Sequence, residues 1–138
     1  MPDISKNMVF HHIGIATRNI EKCIRVYGEL GYTASEIIAE PSQNVKIAFL
    51  LKDSQPRLEI IEPLNEESPV SRIVRDSGTT PYHICYEVED IAKAVEELED
   101  LRFRLLFKPL VSETMDHGLF CYLFSPEIGL IELYERKK

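Results

Sequence analysis

The clearest pattern along the chain is a short alternation of apolar and polar residues that occurs twice, from Phe10 to Ala16 and from His83 to Val88. This alternation is typical of a half-buried β-strand. After each run, Asn19 or Asp90 offers an N-cap oxygen to a segment with apolar residues at helical spacing. Each half of the chain is therefore predicted to begin with a strand and an amphipathic helix.

The two segments are copies of each other. Residues 12–32 align with residues 83–103 without a gap at a constant offset of 71 residues, and the aligned residues are identical at His12, Ile13, Ile20, Lys22 and Leu30. The apolar stripes of the predicted helices match position by position: Ile20, Cys23, Ile24, Tyr27 and Leu30, then Ile91, Ala94, Val95, Leu98 and Leu101. The sequence is an internal duplication.

Three more strand-like runs follow each helix, separated by proline, glycine and asparagine residues that break regular structure. They are residues 32–38, 45–51 and 57–62, then 103–107, 119–124 and 130–134. Between the halves, Ser68-Pro69 opens and Gly78 closes a predicted linker helix at about residues 68–78. The predicted fold class is α+β: two βαβββ modules, about residues 9–62 and 82–135, form an open, mostly antiparallel barrel with helices outside. Because 138 residues are too few for two full cores, we expect one domain over 1–138.

Composition and charge narrow the classes of function. The 16 Lys and Arg against 23 Asp and Glu give a net charge of −7, so nucleic acid is not an expected partner. No apolar run reaches membrane-spanning length, and the first residues lack the pattern of a signal peptide, so a cytoplasmic protein is expected. The three cysteines show no CxxC spacing, and we expect reduced, mostly buried thiols.

The residues that indicate chemistry are duplicated as well. Each module has one histidine on its first strand and one glutamate on its last: His12 with Glu59, and His83 with Glu132. Since alternate residues of a strand face opposite sides of a sheet, all four side chains are predicted to point away from the face that the helix covers. If the two sheets curl toward one another, the four side chains meet in one cleft.

Two imidazoles and two carboxylates form a mixed nitrogen and oxygen site suited to one divalent ion such as Zn, Ni, Co, Mn or Fe. Such an ion stabilises an enolate, and a carboxylate beside it can move a proton. We therefore take His12, Glu59, His83 and Glu132 as the candidate metal ligands.

Other polar residues compete with this set, and each has an ordinary structural interpretation. The strand parity of His11 is that of Ile13, His117 lies in a predicted surface loop, and a solvated helix face accounts for Arg72 and Arg75. Glu62 and Glu135 have the opposite parity to Glu59 and Glu132, so we expect both to be solvated.

The strands that carry these residues have a family likeness. The segments FHHIGIAT, LEIIEPL, YHICYEVEDI and LIELYE resemble the metal-ligand strands of the vicinal-oxygen-chelate superfamily, which includes glyoxalase I, bleomycin-resistance proteins, extradiol dioxygenases and methylmalonyl-CoA epimerase. The run from Glu62 to Val70, with the linker helix and YHI after it, is most like methylmalonyl-CoA epimerase. The resemblance assigns the metal ligands to the four residues above and implies a homodimer. Some epimerases have an additional base on the strand that corresponds to residues 44–49, and this chain has Ile47 at the matching position.

Three functions remain open from the sequence. The first is a metal-dependent epimerase or isomerase of an acyl thioester, with Glu132 removing the α-proton and Glu59 or a water returning it. The second is a glyoxalase-type lyase acting on a hemithioacetal, and the third is a non-enzymatic binder of small molecules. The four retained ligands argue against the binder, and a second carboxylate argues against an extradiol dioxygenase.

Overall fold

The computed structural model describes residues 3–138, which form four α-helices and ten β-strands. The helices are α1 (Ile4–Asn7), α2 (Ile20–Glu29), α3 (Pro69–Ser77) and α4 (Ile91–Asp100). The strands are β1 (Val9–Ala16), β2 (Thr33–Ala34), β3 (Ile38–Glu40), β4 (Val45–Leu51), β5 (Leu58–Pro63), β6 (Thr80–Glu87), β7 (Arg104–Leu105), β8 (Leu110–Val111), β9 (Leu119–Ser125) and β10 (Gly129–Glu135). The α+β class predicted from the duplicated pattern is confirmed.

The chain divides into two compact units. The first unit is His12–Tyr82, and the second combines residues 3–11 with His83–Lys138. The predicted linker helix forms as α3 and belongs to the first unit. Each unit therefore contains one copy of the repeated strand and helix.

In the first unit, the strand order is β2-β4-β5-β1, and β3 pairs with another part of β4. The pairing of β1 with β5 is parallel, whereas β4 pairs with β2, β3 and β5 in antiparallel fashion. An apolar cluster joins Ile20 of α2 to Ile15 and Ile60. A separate cluster joins Val70 and Val74 of α3 to strand residues of the opposite parity. Helices therefore contact both faces of this sheet.

The second unit repeats the arrangement, with the strand order β6-β10-β9-β7 and β8 on another part of β9. Again the pairing of the first strand with the last, β6 with β10, is parallel, and the other pairings are antiparallel. Its core joins Ile91, Val95 and Leu98 of α4 to Leu123 and Leu133 of the sheet. The predicted mostly antiparallel pairing is thus present in both units.

Local sequence explains why the helices begin where they do. Asn19 accepts a hydrogen bond from the backbone N–H of Lys22, and Asp90 accepts one from that of Lys93, as the two N-cap predictions require. Ser68 caps α3, and proline occupies its first position. These caps confirm the helix starts read from the sequence.

The structure differs from the predictions in the shorter elements. The run predicted at residues 32–38 divides between β2 and the start of β3, and only Arg104–Leu105 of residues 103–107 is a strand. The last residue of each predicted helical stripe, Leu30 or Leu101, is a C-cap residue and is more than half exposed. Within residues 3–138, no helix has the length and apolar character needed to cross a membrane.

Candidate metal centre

The first unit places a histidine and a glutamate side by side on the sheet. Glu59 of β5 lies opposite Gly14 of β1, so His12, two residues before Gly14, shares its face. The distance from His12 Nε2 to Glu59 Oε1 is 3.2 Å, and both side chains are at most 3% exposed. Strand parity, as predicted, brings this pair together away from the α2 core.

The second unit repeats this pair in the same register. Glu132 of β10 lies opposite Cys85 of β6, and Cys85 is the repeat equivalent of Gly14. The distance from His83 Nε2 to Glu132 Oε1 is 3.0 Å, and both side chains are at most 2% exposed. Each unit thus contains one buried His–Glu pair.

The spacing within each pair fits a divalent ion. Two donor atoms that bind one ion at a right angle, as in octahedral coordination, lie about 3.0 Å apart when each is at about 2.1 Å from the ion. The two measured separations of 3.2 and 3.0 Å agree with this value. Although these distances lie within hydrogen-bond range, Glu59 Oε1 and Glu132 Oε1 are buried and accept no hydrogen bond from residues 3–138. Nitrogen and oxygen donors of this kind suit Zn and the neighbouring transition metals.

An aromatic ring stands against each histidine, a feature that the sequence interpretation missed. Phe49 packs edge-to-face on His12 with 5.6 Å between ring centroids, and Tyr122 does so on His83 at 5.2 Å. Both rings lie opposite the paired glutamate, because Phe49 is the Cα partner of Glu59 and Tyr122 that of Glu132. The signal was present in the spacing, since Phe49 precedes Tyr122 by the same 73 residues that separate the two glutamates.

The prediction that Glu62 and Glu135 are solvated is wrong. Glu62 Oε1 accepts a hydrogen bond of 2.8 Å from the backbone N–H of Ile20, at the start of α2. Glu135 Oε1 accepts one of 2.9 Å from Ile91, at the start of α4. The first N–H groups of a helix lack partners within the helix and favour negative charge, which explains why each carboxylate binds there.

The remaining candidates have structural or surface roles. The ring of His11 packs on Tyr134 with 5.1 Å between centroids. His117 is exposed in a loop, 3.8 Å from the carboxylate of Glu113. The two linker arginines, Arg72 and Arg75, are exposed on α3. These placements agree with the structural interpretations given above.

The cysteines are free thiols, as expected, and Cys85 and Cys121 are buried. Burial raises the pKa of the Cys121 thiol to about 12, and the negative charge of Glu132 adds to this increase. Burial also raises the pKa of the Tyr134 hydroxyl, which donates a hydrogen bond to the carbonyl of Met115. Both side chains stay protonated at neutral pH.

Comparison with known protein families identifies the class of protein to which this fold and these paired side chains belong. The sequence model of the Glyoxalase/Bleomycin resistance protein/Dioxygenase superfamily matches residues 11–122. The chain belongs to this superfamily, and the resemblance inferred from its strands is confirmed.

Within this superfamily, the chain is similar in sequence to several epimerases of acyl-CoA thioesters. The ethylmalonyl-CoA/methylmalonyl-CoA epimerase of Cereibacter sphaeroides is 31% identical over 98 residues, which cover 70% of this chain and 72% of that protein. The chain spans about half the length of the mitochondrial methylmalonyl-CoA epimerases that it matches, such as the mouse protein at 28% identity.

Solved structures agree at the level of the fold. A hypothetical protein from Bacillus halodurans C-125 matches with a TM-score of 0.84 and 29% identity, over 95% of this chain and 96% of that one. The methylmalonyl-CoA epimerase from Mycobacterium tuberculosis matches with a TM-score of 0.83 over 94% and 89% of the two chains. Because its identity is 20%, this second match concerns the fold alone.

Proposed function

We propose that this protein is a divalent-metal-dependent epimerase that moves the proton α to the carbonyl of an acyl-CoA thioester, with methylmalonyl-CoA as the substrate to test. The observation that carries the proposal is the repetition of one buried His–Glu pair in the same strand register of both units. The epimerase relatives described above support the choice of reaction.

In this proposal, His12, Glu59, His83 and Glu132 together hold one ion of Zn, Ni, Co, Mn or Fe. When bound by these residues, the ion would supply Lewis-acid stabilisation of negative charge on the substrate's carbonyl oxygen. Duplication of the pair accounts for the donor set, since each module contributes one nitrogen and one oxygen donor. The matched separations within the pairs support a common role for both.

The two glutamates also supply the acid and base chemistry. The carboxylate of Glu132 takes the α-proton, and the electron pair of the broken C–H bond delocalises onto the thioester carbonyl. Glu59, or a water molecule, delivers a proton to the opposite face of the same carbon, which inverts its configuration. We assign the base to Glu132 because its strand closes the second module and the superfamily resemblance gives the matching residue that role.

Burial of both glutamates favours this chemistry. Glu59 and Glu132 are each 2% exposed, so bulk water is excluded from the carboxylates. A base held out of bulk water keeps its orientation and does not have to shed a hydration shell before it takes the proton. Ile47, at the position where some epimerases have an additional base, lies in an apolar cluster with Val70 and Val74. Proton transfer is therefore assigned to the paired glutamates.

Exchange of the α-proton in heavy water tests the proposal. The wild-type protein is expected to exchange the α-proton of methylmalonyl-CoA for deuterium. Glu132→Gln keeps an oxygen donor but removes the base. The rate of α-proton exchange should therefore fall by a factor of about 10² to 10⁴, which is the contribution of general-base catalysis. Glu59→Gln should cost much less, because the amide oxygen still binds a metal and water can replace its proton.

Metal content measured on the same preparations is the control, and both variants should keep their ion. If the wild type exchanges the proton and both variants do so at its rate, neither glutamate is the base. If the metal-loaded wild type exchanges no α-proton of methylmalonyl-CoA, the proposed reaction is wrong.

A further inference from the structure

The two His–Glu pairs have matching donors, but the rings beside them differ in one atom. Phe49 and Tyr122 occupy equivalent places in the repeat, on the strand next to the glutamate strand and against the histidine of the pair. The ring geometries are close, with interplanar angles of 74° and 79°. The chemical difference is the hydroxyl group that only Tyr122 carries.

This difference matters because the proposed substrate is not symmetric. The α-carbon of methylmalonyl-CoA lies between a carboxylate and a thioester. The two pairs supply identical donors, one histidine and one glutamate each, so these donors alone cannot distinguish the two ends. If the substrate binds in the reverse direction, its α-proton no longer faces the carboxylate of Glu132 in the same way. Because catalysis needs a fixed orientation of the reacting groups, one direction must be selected.

We propose that the Tyr122 hydroxyl fixes this orientation by donating a hydrogen bond to the carboxylate of the substrate, an inference that rests on the proposed function. A phenol donates more strongly to a charged carboxylate than to a neutral thioester carbonyl. Phe49 has no donor, so its ring is suited to the less polar thioester end. Tyr122 is thus the residue that determines specificity for an acyl thioester bearing a carboxylate.

The surroundings of Tyr122 support a fixed position for its ring. Besides His83, the ring contacts Phe107 and Phe120, with centroid distances of 5.7 and 6.3 Å. Packing on several sides limits the rotation of a side chain, so the hydroxyl is held in place before a ligand arrives. Tyr122 is also half-buried, which strengthens a hydrogen bond to a charged group.

Binding of two ligands to Tyr122→Phe tests the inference. The first ligand is methylmalonyl-CoA, and the second is propionyl-CoA, which has hydrogen in place of the carboxylate. The variant keeps the ring and loses only the hydroxyl. Its Kd for methylmalonyl-CoA should rise about 10- to 100-fold, the effect of one hydrogen bond to a charged group. Its Kd for propionyl-CoA should stay within about twofold of the wild-type value, because that ligand offers no carboxylate to the hydroxyl.

A matched control is Tyr86→Phe, which removes a hydroxyl from the same unit. Tyr86 lies on β6 with the opposite parity to His83, and its ring packs on Phe10. This variant should bind both ligands like the wild type, and titration calorimetry on metal-loaded protein measures all the constants. An equal loss for both ligands in Tyr122→Phe, or no loss for either, overturns the inference. A wild type that exchanges no α-proton contradicts the proposed function instead.

Discussion

At the scale of single residues, burial decides what the four candidate ligands do. Taking a carboxylate out of water costs several kcal/mol unless donors or positive charge face it. Glu59 meets the imidazole of His12, and Glu132 meets that of His83. Each pair is therefore a polar group held in a fixed geometry among packed side chains, which is the condition for binding an ion without rearrangement.

The buried thiol of Cys121 makes stability depend on pH. Its pKa in the folded protein is about 12, against an ordinary value of 9.0. Between these values the unfolded chain has released the proton while the folded protein keeps it, so the free energy of unfolding falls as pH rises. The stabilisation is complete below pH 9 and is lost between about pH 9 and 12. One such group contributes a slope of about 1.4 kcal/mol per pH unit in this range.

Cys121→Ala should remove this slope. We expect the free energy of unfolding of metal-free protein, measured by denaturant titration from pH 9 to 11, to fall less steeply in the variant. Cys23→Ala is the matched control, because the Cys23 thiol is only partly buried and burial raises its pKa to a smaller extent. If wild type and Cys121→Ala have equal slopes, the thiol does not control alkaline stability.

Individual residues also show how far a sequence can be interpreted alone. Alternation within a strand predicted that His12 and Glu59 share one face, and the structure agrees because parity is a local property. The same reasoning gave the correct face for Glu62 but the wrong environment. Contact of its carboxylate with the start of α2 joins residues 42 positions apart, and a strand pattern carries no information about that distance.

At the scale of elements, the last strand of each module has two tasks on opposite faces. In β5, Glu59 faces His12, whereas Glu62, three residues later, binds the first free N–H of α2. In β10, Glu132 and Glu135 repeat this division. One strand therefore positions a candidate ligand and fixes the helix that covers its other face.

Removal of the second glutamate should destabilise the protein without affecting the metal. Glu62→Ala leaves the N–H of Ile20 without its acceptor and removes the ion pair with Lys46, which is 3.2 Å long. We expect a loss of about 1 to 2 kcal/mol in the free energy of unfolding, as for other helix caps. Chemical denaturation measures the loss, and metal content should stay at the wild-type level.

Glu127→Ala serves as the control for this experiment, because Glu127 is exposed in the turn before β10. It should change stability by less than about 0.5 kcal/mol. A Glu62→Ala protein as stable as this control would show that the hydrogen bond to α2 contributes nothing to stability.

Long elements were predictable, and short ones were not. Periodicity and caps located α2 and α4, since ten residues contain almost three turns of a repeating apolar stripe. Two-residue strands such as β2 and β7 contain no period to detect, and their existence depends on pairing with β4 and β9. Leu30 and Leu101 matched the stripe by spacing, but each helix ends just before them.

At the scale of the whole molecule, duplication explains both the likeness and the difference of the two halves. It gives each unit the same His–Glu pair in the same register, and the sequence alone predicted both pairs. The spacing shows that Phe49 and Tyr122 are equivalent positions with different residues. Only the ring contacts with His12 and His83 show that this difference lies beside the two pairs. A homodimer and a cytoplasmic location stay predictions from the sequence.

Metal stoichiometry decides whether the two pairs hold a single ion, as proposed. Elemental analysis and metal titration of the wild type should give one divalent ion per chain. His12→Ala and His83→Ala should each lower the affinity more than 100-fold, beyond the roughly 10- to 100-fold typical of changes around a metal ligand. His117→Ala, at an exposed histidine, should bind like the wild type.

Circular dichroism of each variant should first establish that it is folded. We expect one ion per chain, which is lost from folded protein when either buried histidine is replaced. Two ions per chain, with each substitution removing one, would show that the pairs act separately. Full retention of metal by a protein with both His12→Ala and His83→Ala would contradict the assignment altogether.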